Sequence, residues 1–168
     1  MSINPSELYD FLNKKGIDFF SGVPDSLLKE FCLCIDSNSN NKNHIIAANE
    51  GNAIAHAAGY YLGTGKIPIV YMQNSGLGNA VNPLLSLCDK EVYSIPLLMM
   101  IGWRGEPNIK DEPQHVKQGK IQLSLLESMG IKFFIIDGNW KNAKKNISKA
   151  IIHAESEKEP VALIVKKG

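Results

Sequence analysis

His44-Ile45-Ile46-Ala47-Ala48-Asn49-Glu50-Gly51-Asn52-Ala53 changes character twice within a few residues. The run His44 to Ala48 has the length and the apolar content of a strand covered on both faces. A turn carrying Asn49 and Glu50 follows, and Gly51 to Leu62 reads as a helix rich in alanine. The alternation continues downstream: strand Ile67 to Met72, helix Asn79 to Leu87, strand Ile95 to Ile101, helix near Gln118 to Met129, strand Phe133 to Ile136, helix Trp140 to Glu155 and strand Val161 to Val165. Upstream, Asn4, Pro5 and Glu7 form an N-cap, a proline at the first helical position and a capping-box glutamate, so a helix runs to about Lys15 and Gly16 ends it. Ile17 to Phe20 then reads as a strand, and Asp25 or Ser26 caps a helix carrying Leu27, Leu28, Phe31 and Ile35. Six apolar strands separated by helices favour right-handed crossovers, which predicts a three-layer, doubly wound α/β domain on a six-stranded parallel sheet.

Composition agrees with one domain over residues 1–168. The chain has 168 residues, 44% hydrophobic and 21% charged, and a net charge of +1. Its lysines are scattered, so no basic block is present to hold a nucleic acid backbone. No apolar run reaches the roughly 18 residues of a membrane span, and the start of the chain lacks the pattern of a signal peptide. Cys32, Cys34 and Cys88 form no CxxC pair, which argues against a zinc site and for a reducing, cytoplasmic setting. The polar patch Asp36 to Asn43 reads as a loop.

In a doubly wound sheet, ligands sit beyond the carboxyl ends of the strands, so the chemistry belongs to the loops there. Ser21-Gly22-Val23-Pro24-Asp25-Ser26 follows the first strand and is also ordinary turn vocabulary. Glu50 follows the second, between an apolar strand and a closely packing helix, where a poorly solvated carboxyl suits proton exchange; a glutamate favoured by the helix dipole fits the same pattern. Gln73-Asn74-Ser75-Gly76-Leu77-Gly78-Asn79 follows the third, with two glycines that permit close backbone approach. After the fourth, Gly102 to Lys117 is the longest irregular segment and holds Trp103, Asp111, Glu112, Gln114, His115 and the chain's only arginine, Arg104.

Together these four loops resemble the N-terminal, pyrimidine-binding domain of thiamine diphosphate-dependent decarboxylases, over essentially the whole chain. Within that family they look most like the phosphonopyruvate decarboxylases, with the sulfopyruvate decarboxylases as close relatives. The resemblance implies the thiamine diphosphate-binding fold. It also implies that Glu50 hydrogen-bonds the cofactor's aminopyrimidine ring, so that the exocyclic nitrogen removes the proton from the thiazolium carbon that attacks a 2-oxo acid. Asp25 and His115 match proton-relay positions, and Asn74, Ser75 and Gly76 match the cofactor side. Arg104, Ser26 and Gln114 are candidates for the substrate, with Arg104 or Lys110 pairing its second acidic group. One departure is Gly76-Leu77-Gly78, where Gly-Pro-Gly is frequent in the broad family.

The resemblance further implies that the diphosphate and its divalent metal, Mg2+, are held by a separate domain with a Gly-Asp-Gly motif. Asp137-Gly138-Asn139 is only a near match and lies too close to the end. The chain is therefore expected to supply half of an active site and no metal ligand, as part of a longer enzyme or of a split one, and to assemble as a homo-oligomer or with a complementary subunit. The helix surface around Ala53 to Tyr61 is expected to drive dimerisation. The fold pattern also accommodates a non-catalytic flavodoxin-like binding domain, from which Glu50 is the discriminating feature. A hydrolase is disfavoured because no Gly-x-Ser-x-Gly elbow occurs.

Overall fold

The computed structural model describes residues 3–39 and 43–167. Helix α1 spans Pro5–Lys14, and the Asn4 side chain accepts from the amides of Ser6 and Glu7 at 3.0 and 3.2 Å. There follow β1 (Phe20–Gly22), α2 (Lys29–Asn38), β2 (His44–Ile46), α3 (Glu50–Thr64), β3 (Ile69–Gln73) and α4 (Leu77–Pro83). The chain continues through β4 (Leu98–Gly102), α5 (Pro113–Ser128), β5 (Lys132–Ile136), α6 (Trp140–Glu157) and β6 (Val161–Val165). Among the described residues the six strands form one parallel sheet in the order β2-β1-β3-β4-β6-β5.

Strand alternation sorts the core into two layers. Ile69, Tyr71, Leu98, Met100, Val161 and Leu163 pack with Leu8 and Leu12 of α1, Phe31 and Ile35 of α2, and Ile147 and Ile151 of α6. Val70, Met72, Met99, Ile101, Ala162 and Ile164 pack on the other face with Ala53 and Ile54 of α3, Ala80 of α4 and Leu126 of α5. Each fully buried large aliphatic side chain contributes about 1.5–3 kcal/mol relative to exposure.

The fold is the expected three-layer one, and several boundaries differ for identifiable reasons. The first strand is Phe20–Gly22 and not Ile17 to Phe20, because the Ile17 amide turns back to the Leu12 carbonyl at 3.1 Å and finishes α1. Gly22 suits that strand: a Cβ there would lie 2.1 Å from the Tyr71 carbonyl oxygen. Ile95 to Leu97 are buried but precede the β4 ladder, and Pro96 has no amide to give it. Pro83 ends regular α4, and a π-turn over Leu84–Cys88 replaces the rest of the expected helix. Helix α5 begins at Pro113, not Gln118, because proline presets the first helical turn. Asp36 to Asn38 complete α2, so the expected loop is shorter, and residues 40–42 lie outside the described residues. In α3, Ala53, Ile54, Ala57 and Ala58 are buried in this chain's own core, whereas Ala55, Gly59 and Leu62 are exposed on the outward side. No helix among the described residues is long and apolar enough to cross a membrane.

Candidate active site

From β1 the chain passes to β2 on one side, and β3 lies on the other, so the strand order reverses between β1 and β3. The carboxyl ends of these strands and their neighbours carry two polar clusters.

The first is built on Glu50, the opening residue of α3. Asn49 caps that helix, its side chain accepting from the Asn52 amide at 3.0 Å, which sets Glu50 in the first turn just beyond β2. Glu50 is 9% exposed. Its Oε2 accepts from Asn79 Nδ2 at 2.8 Å, the one hydrogen bond that the carboxylate makes among the described residues, and Oε1 takes no part in it. The carboxyl lies on Gly76: a Cβ at that position would stand 2.3 Å from Glu50 Cγ, so the close approach requires glycine. Gly51 faces the Asn79 carbonyl oxygen in the same way, with a Cβ reaching 2.8 Å. The starts of α3 and α4 are thus pressed together, with one carboxylate oxygen left for an outside donor.

The second cluster joins the loops after β1, β3 and β4. Asp25 is buried; its Oδ2 accepts from the amides of Leu27 and Leu28 at 3.2 Å and sits where a Gly102 Cβ would be, 2.3 Å away. Oδ1 is buried without a hydrogen-bond partner among the described residues. Burial pushes the Asp25 carboxyl above the ordinary aspartate range, against the opposing pull of the Leu28 amide and Arg104. Arg104 Nη1 donates to Ser26 Oγ at 2.7 Å, and Nε donates to Asp111 Oδ2 at 2.8 Å while Nη2 bonds Oδ1. Asp111 also accepts from the amides of Gly105 and Glu112, both at 2.8 Å. The Arg104 guanidinium holds the Asp111 carboxyl well below the usual carboxylate range. Asn74 Nδ2 donates to the Arg104 carbonyl at 2.8 Å, and its Oδ1 accepts the Arg104 amide at 3.3 Å.

The expected residues therefore divide. Glu50 and Gly76 meet, and so do Asp25, Ser26, Arg104 and Asn74 through shared partners. Asn74 is 2% exposed, and its side-chain amide grips the loop after β4. Ser75 is exposed and accepts from Gln73 Nε2 at 2.6 Å. His115 and Gln114 sit in the first turn of α5, with His115 half-buried and Gln114 exposed. The His115 carbonyl abuts Gly105, where a Cβ would be 2.0 Å away. Asn79 and Asp111 were legible only as a helix-start residue and a loop acid; the roles they take depend on partners 29 and 7 residues distant. A cavity of about 320 Å³ adjoins Asp25 between α2 and β2, with Ser26, Lys29, His44 and Tyr71 on its wall. Burial raises the Cys32 and Cys88 thiols to about 11 and about 12, which suits packing and not nucleophilic use. Among the described residues no group of three or more His, Cys, Asp or Glu side chains could hold a metal ion.

Comparison with known proteins connects this arrangement to a family. Residues 6–126 match the family described as "Thiamine pyrophosphate enzyme, N-terminal TPP binding domain". A phosphonopyruvate decarboxylase of Streptomyces viridochromogenes is 37% identical over 134 residues, covering 80% of this chain and 33% of the relative. Sulfopyruvate decarboxylase subunit alpha of Methanococcus maripaludis is 35% identical over 133 residues, covering 79% of this chain and 77% of the subunit. The chain thus spans about a third of the first relative and about three quarters of the second. In structure, benzoylformate decarboxylase from Polynucleobacter necessarius superposes with a TM-score of 0.70 at 21% identity, over 98% of this chain and 30% of that one, which supports the fold. With the family match extending over most of its length, the chain belongs to the thiamine pyrophosphate enzymes, as an N-terminal TPP-binding domain.

Proposed function

We propose that this chain is the aminopyrimidine-binding half of a thiamine diphosphate-dependent decarboxylase, converting phosphonopyruvate to phosphonoacetaldehyde and carbon dioxide. The observation that carries the reading is Glu50: buried at the start of α3, braced by Asn79 and Gly76, with Oε1 open to an outside donor. That environment fits an aminopyrimidine ring, whose ring N–H would donate to Oε1. When bound, the cofactor supplies an acidic thiazolium carbon and a ring that takes up the electrons released as carbon dioxide leaves.

This chain's residues orient and move protons. Glu50 holds the proton at the pyrimidine ring nitrogen. Asp25, whose carboxyl keeps its proton to higher pH than an exposed aspartate, returns a proton on the substrate side, together with His115. Ser26 and Gln114 are the substrate-side polar groups. The diphosphate and Mg2+ belong to a complementary domain or subunit, and the assembly works in the cytoplasm as an oligomer.

Replacing Glu50 by Gln keeps the volume and removes the acid-base group. In the enzyme with its diphosphate-binding half present, hydrogen exchange at the cofactor's reactive carbon is expected to fall by about 100-fold to 10,000-fold. An unchanged rate would reduce Glu50 to a helix-start residue.

A second reading takes the sulfonate analogue as substrate: sulfopyruvate decarboxylase subunit alpha of Methanococcus maripaludis is 35% identical to this chain, beside 37% for the phosphonopyruvate decarboxylase. Turnover of the two acids by the chain combined with its diphosphate-binding partner separates the readings; the chain alone is expected to turn over neither.

A further inference from the structure

The sequence places Arg104 as a cation for the substrate's second acidic group. The geometry gives it other work. Its guanidinium forms a fork with Asp111, and the remaining Nη1 is engaged by Ser26 Oγ. Only 5% of the Asp111 side chain and 18% of the Arg104 side chain are exposed. Asp111 closes the loop on itself by accepting the Gly105 and Glu112 amides, and Asn74 holds the Arg104 backbone from both sides. The same loop is fastened at its edges, by Trp103 Nε1 on the Gly119 carbonyl at 2.9 Å and by Glu106 on Lys166 at 2.6 Å.

We infer that Arg104 and Asp111 are positioning residues: an internal pair that locks the loops after β1, β3 and β4 into one body and so sets Asp25 and His115 relative to each other, with the Arg104 fork given to Asp111 and not to a substrate anion. The chemical argument is one of valence. A guanidinium has five N–H donors, and here three are used: the edge of Nε and Nη2 is filled by a carboxylate, and Nη1 gives to a hydroxyl. To take the occupied fork, an incoming phosphonate or sulfonate would have to displace a buried carboxylate that would then have no cation. His115 follows directly from this loop, since the first turn of α5 starts at Pro113 and the His115 carbonyl packs on Gly105. Asp25 is one residue from Ser26, the point at which Arg104 reaches across. The pair therefore touches both proton-handling loops without itself touching the reacting atoms.

This inference rests on the decarboxylase reading, and its test separates the two. Arg104→Ala, Asp111→Ala and the double variant are compared in the enzyme with its diphosphate-binding half, using phosphonopyruvate and sulfopyruvate. A positioning pair predicts that each single variant lowers kcat by about 100-fold, the scale of a misplacement near 1 Å. KM stays within about threefold, the double variant is no worse than either single one, and cofactor-carbon exchange stays near the parent rate, which a collapsed fold would not allow. A KM raised tenfold or more with kcat retained, or a harmless Asp111→Ala, overturns the inference. If Arg104→Ala does not fold, Arg104→Lys carries the same comparison, because an ammonium keeps the charge and loses the fork. Should the parent turn over no 2-oxo acid, the functional reading fails while the lock is still measured: in the 168-residue chain, amide exchange at Gly105 and Glu112 rises at least tenfold in Arg104→Ala, and unchanged rates overturn it.

Discussion

The two polar clusters at the carboxyl ends of the strands are built on opposite plans. Around Glu50 the partners are small and neutral: Gly76 and one amide from Asn79 press on the carboxyl, and one oxygen is left over. Around Asp111 the partners are charged and complete, and both oxygens carry an Arg104 donor and a backbone amide. An unfinished site is ready for a donor from outside, whereas a finished one holds its surroundings still. Function is read from the first kind and rigidity from the second, even though an arginine looks more like a binding residue on paper.

The largest break in this contrast comes from Asp111→Ala. Removing one partner of a buried pair costs about 3 kcal/mol of stability. The carboxyl of Asp111 is held below its unfolded value, so its contribution is present above about pH 4 and lost as the pH falls further. Denaturant midpoints of parent and variant should therefore converge below about pH 4, and a gap independent of pH would mean that the pairing contributes no charge-dependent stability.

Gly76→Ala attacks the other cluster. Its Cβ would intrude to 2.3 Å from Glu50, so the carboxyl has to move. Cofactor-carbon exchange is expected to drop about 100-fold while the fold persists, a loss tied to placement and not to acidity. An unaffected exchange rate would show that Glu50 tolerates another position.

The smallest effect sharpens the comparison. Asp25 has a carboxyl raised by burial, so its ionised form weakens the folded state at neutral pH and its protonated form does not. Asp25→Asn keeps an acceptor for the Leu27 and Leu28 amides and should raise the melting temperature slightly at pH 7. The advantage disappears as the pH falls and the parent carboxyl takes up its proton. A variant less stable than the parent at pH 7 would assign Asp25 a structural charge.

The contrast also separates what the sequence discloses from what it hides. Strands such as Val161–Val165 and the position of Glu50 after β2 are visible because burial on two faces and a strand-to-helix step are local patterns. The start of the first strand is not visible in the sequence, because Ile17 and Phe19 are as buried as strand residues while their backbone belongs to the approach. The fork between Arg104 and Asp111 was hidden for another reason: seven positions in irregular chain impose no spatial relation until Gly105, with its positive φ of 67°, turns the loop. Asn79 met Glu50 only because two glycines let two helix starts touch.

The order β4-β6-β5 has a consequence for how the molecule comes into being. Strand β5 is made before β6, yet β6 is the strand it pairs with. While a ribosome adds residues 137–165 at about 5–20 per second, Lys132–Ile136 waits for that partner and β4 carries an open edge. Helix α6 is synthesised in this interval and packs on β5, so the unpaired strand is covered on one face before its neighbour arrives. The sheet closes by insertion of β6 between β4 and β5, which makes the stretch ending at Val165 the keystone of its assembly.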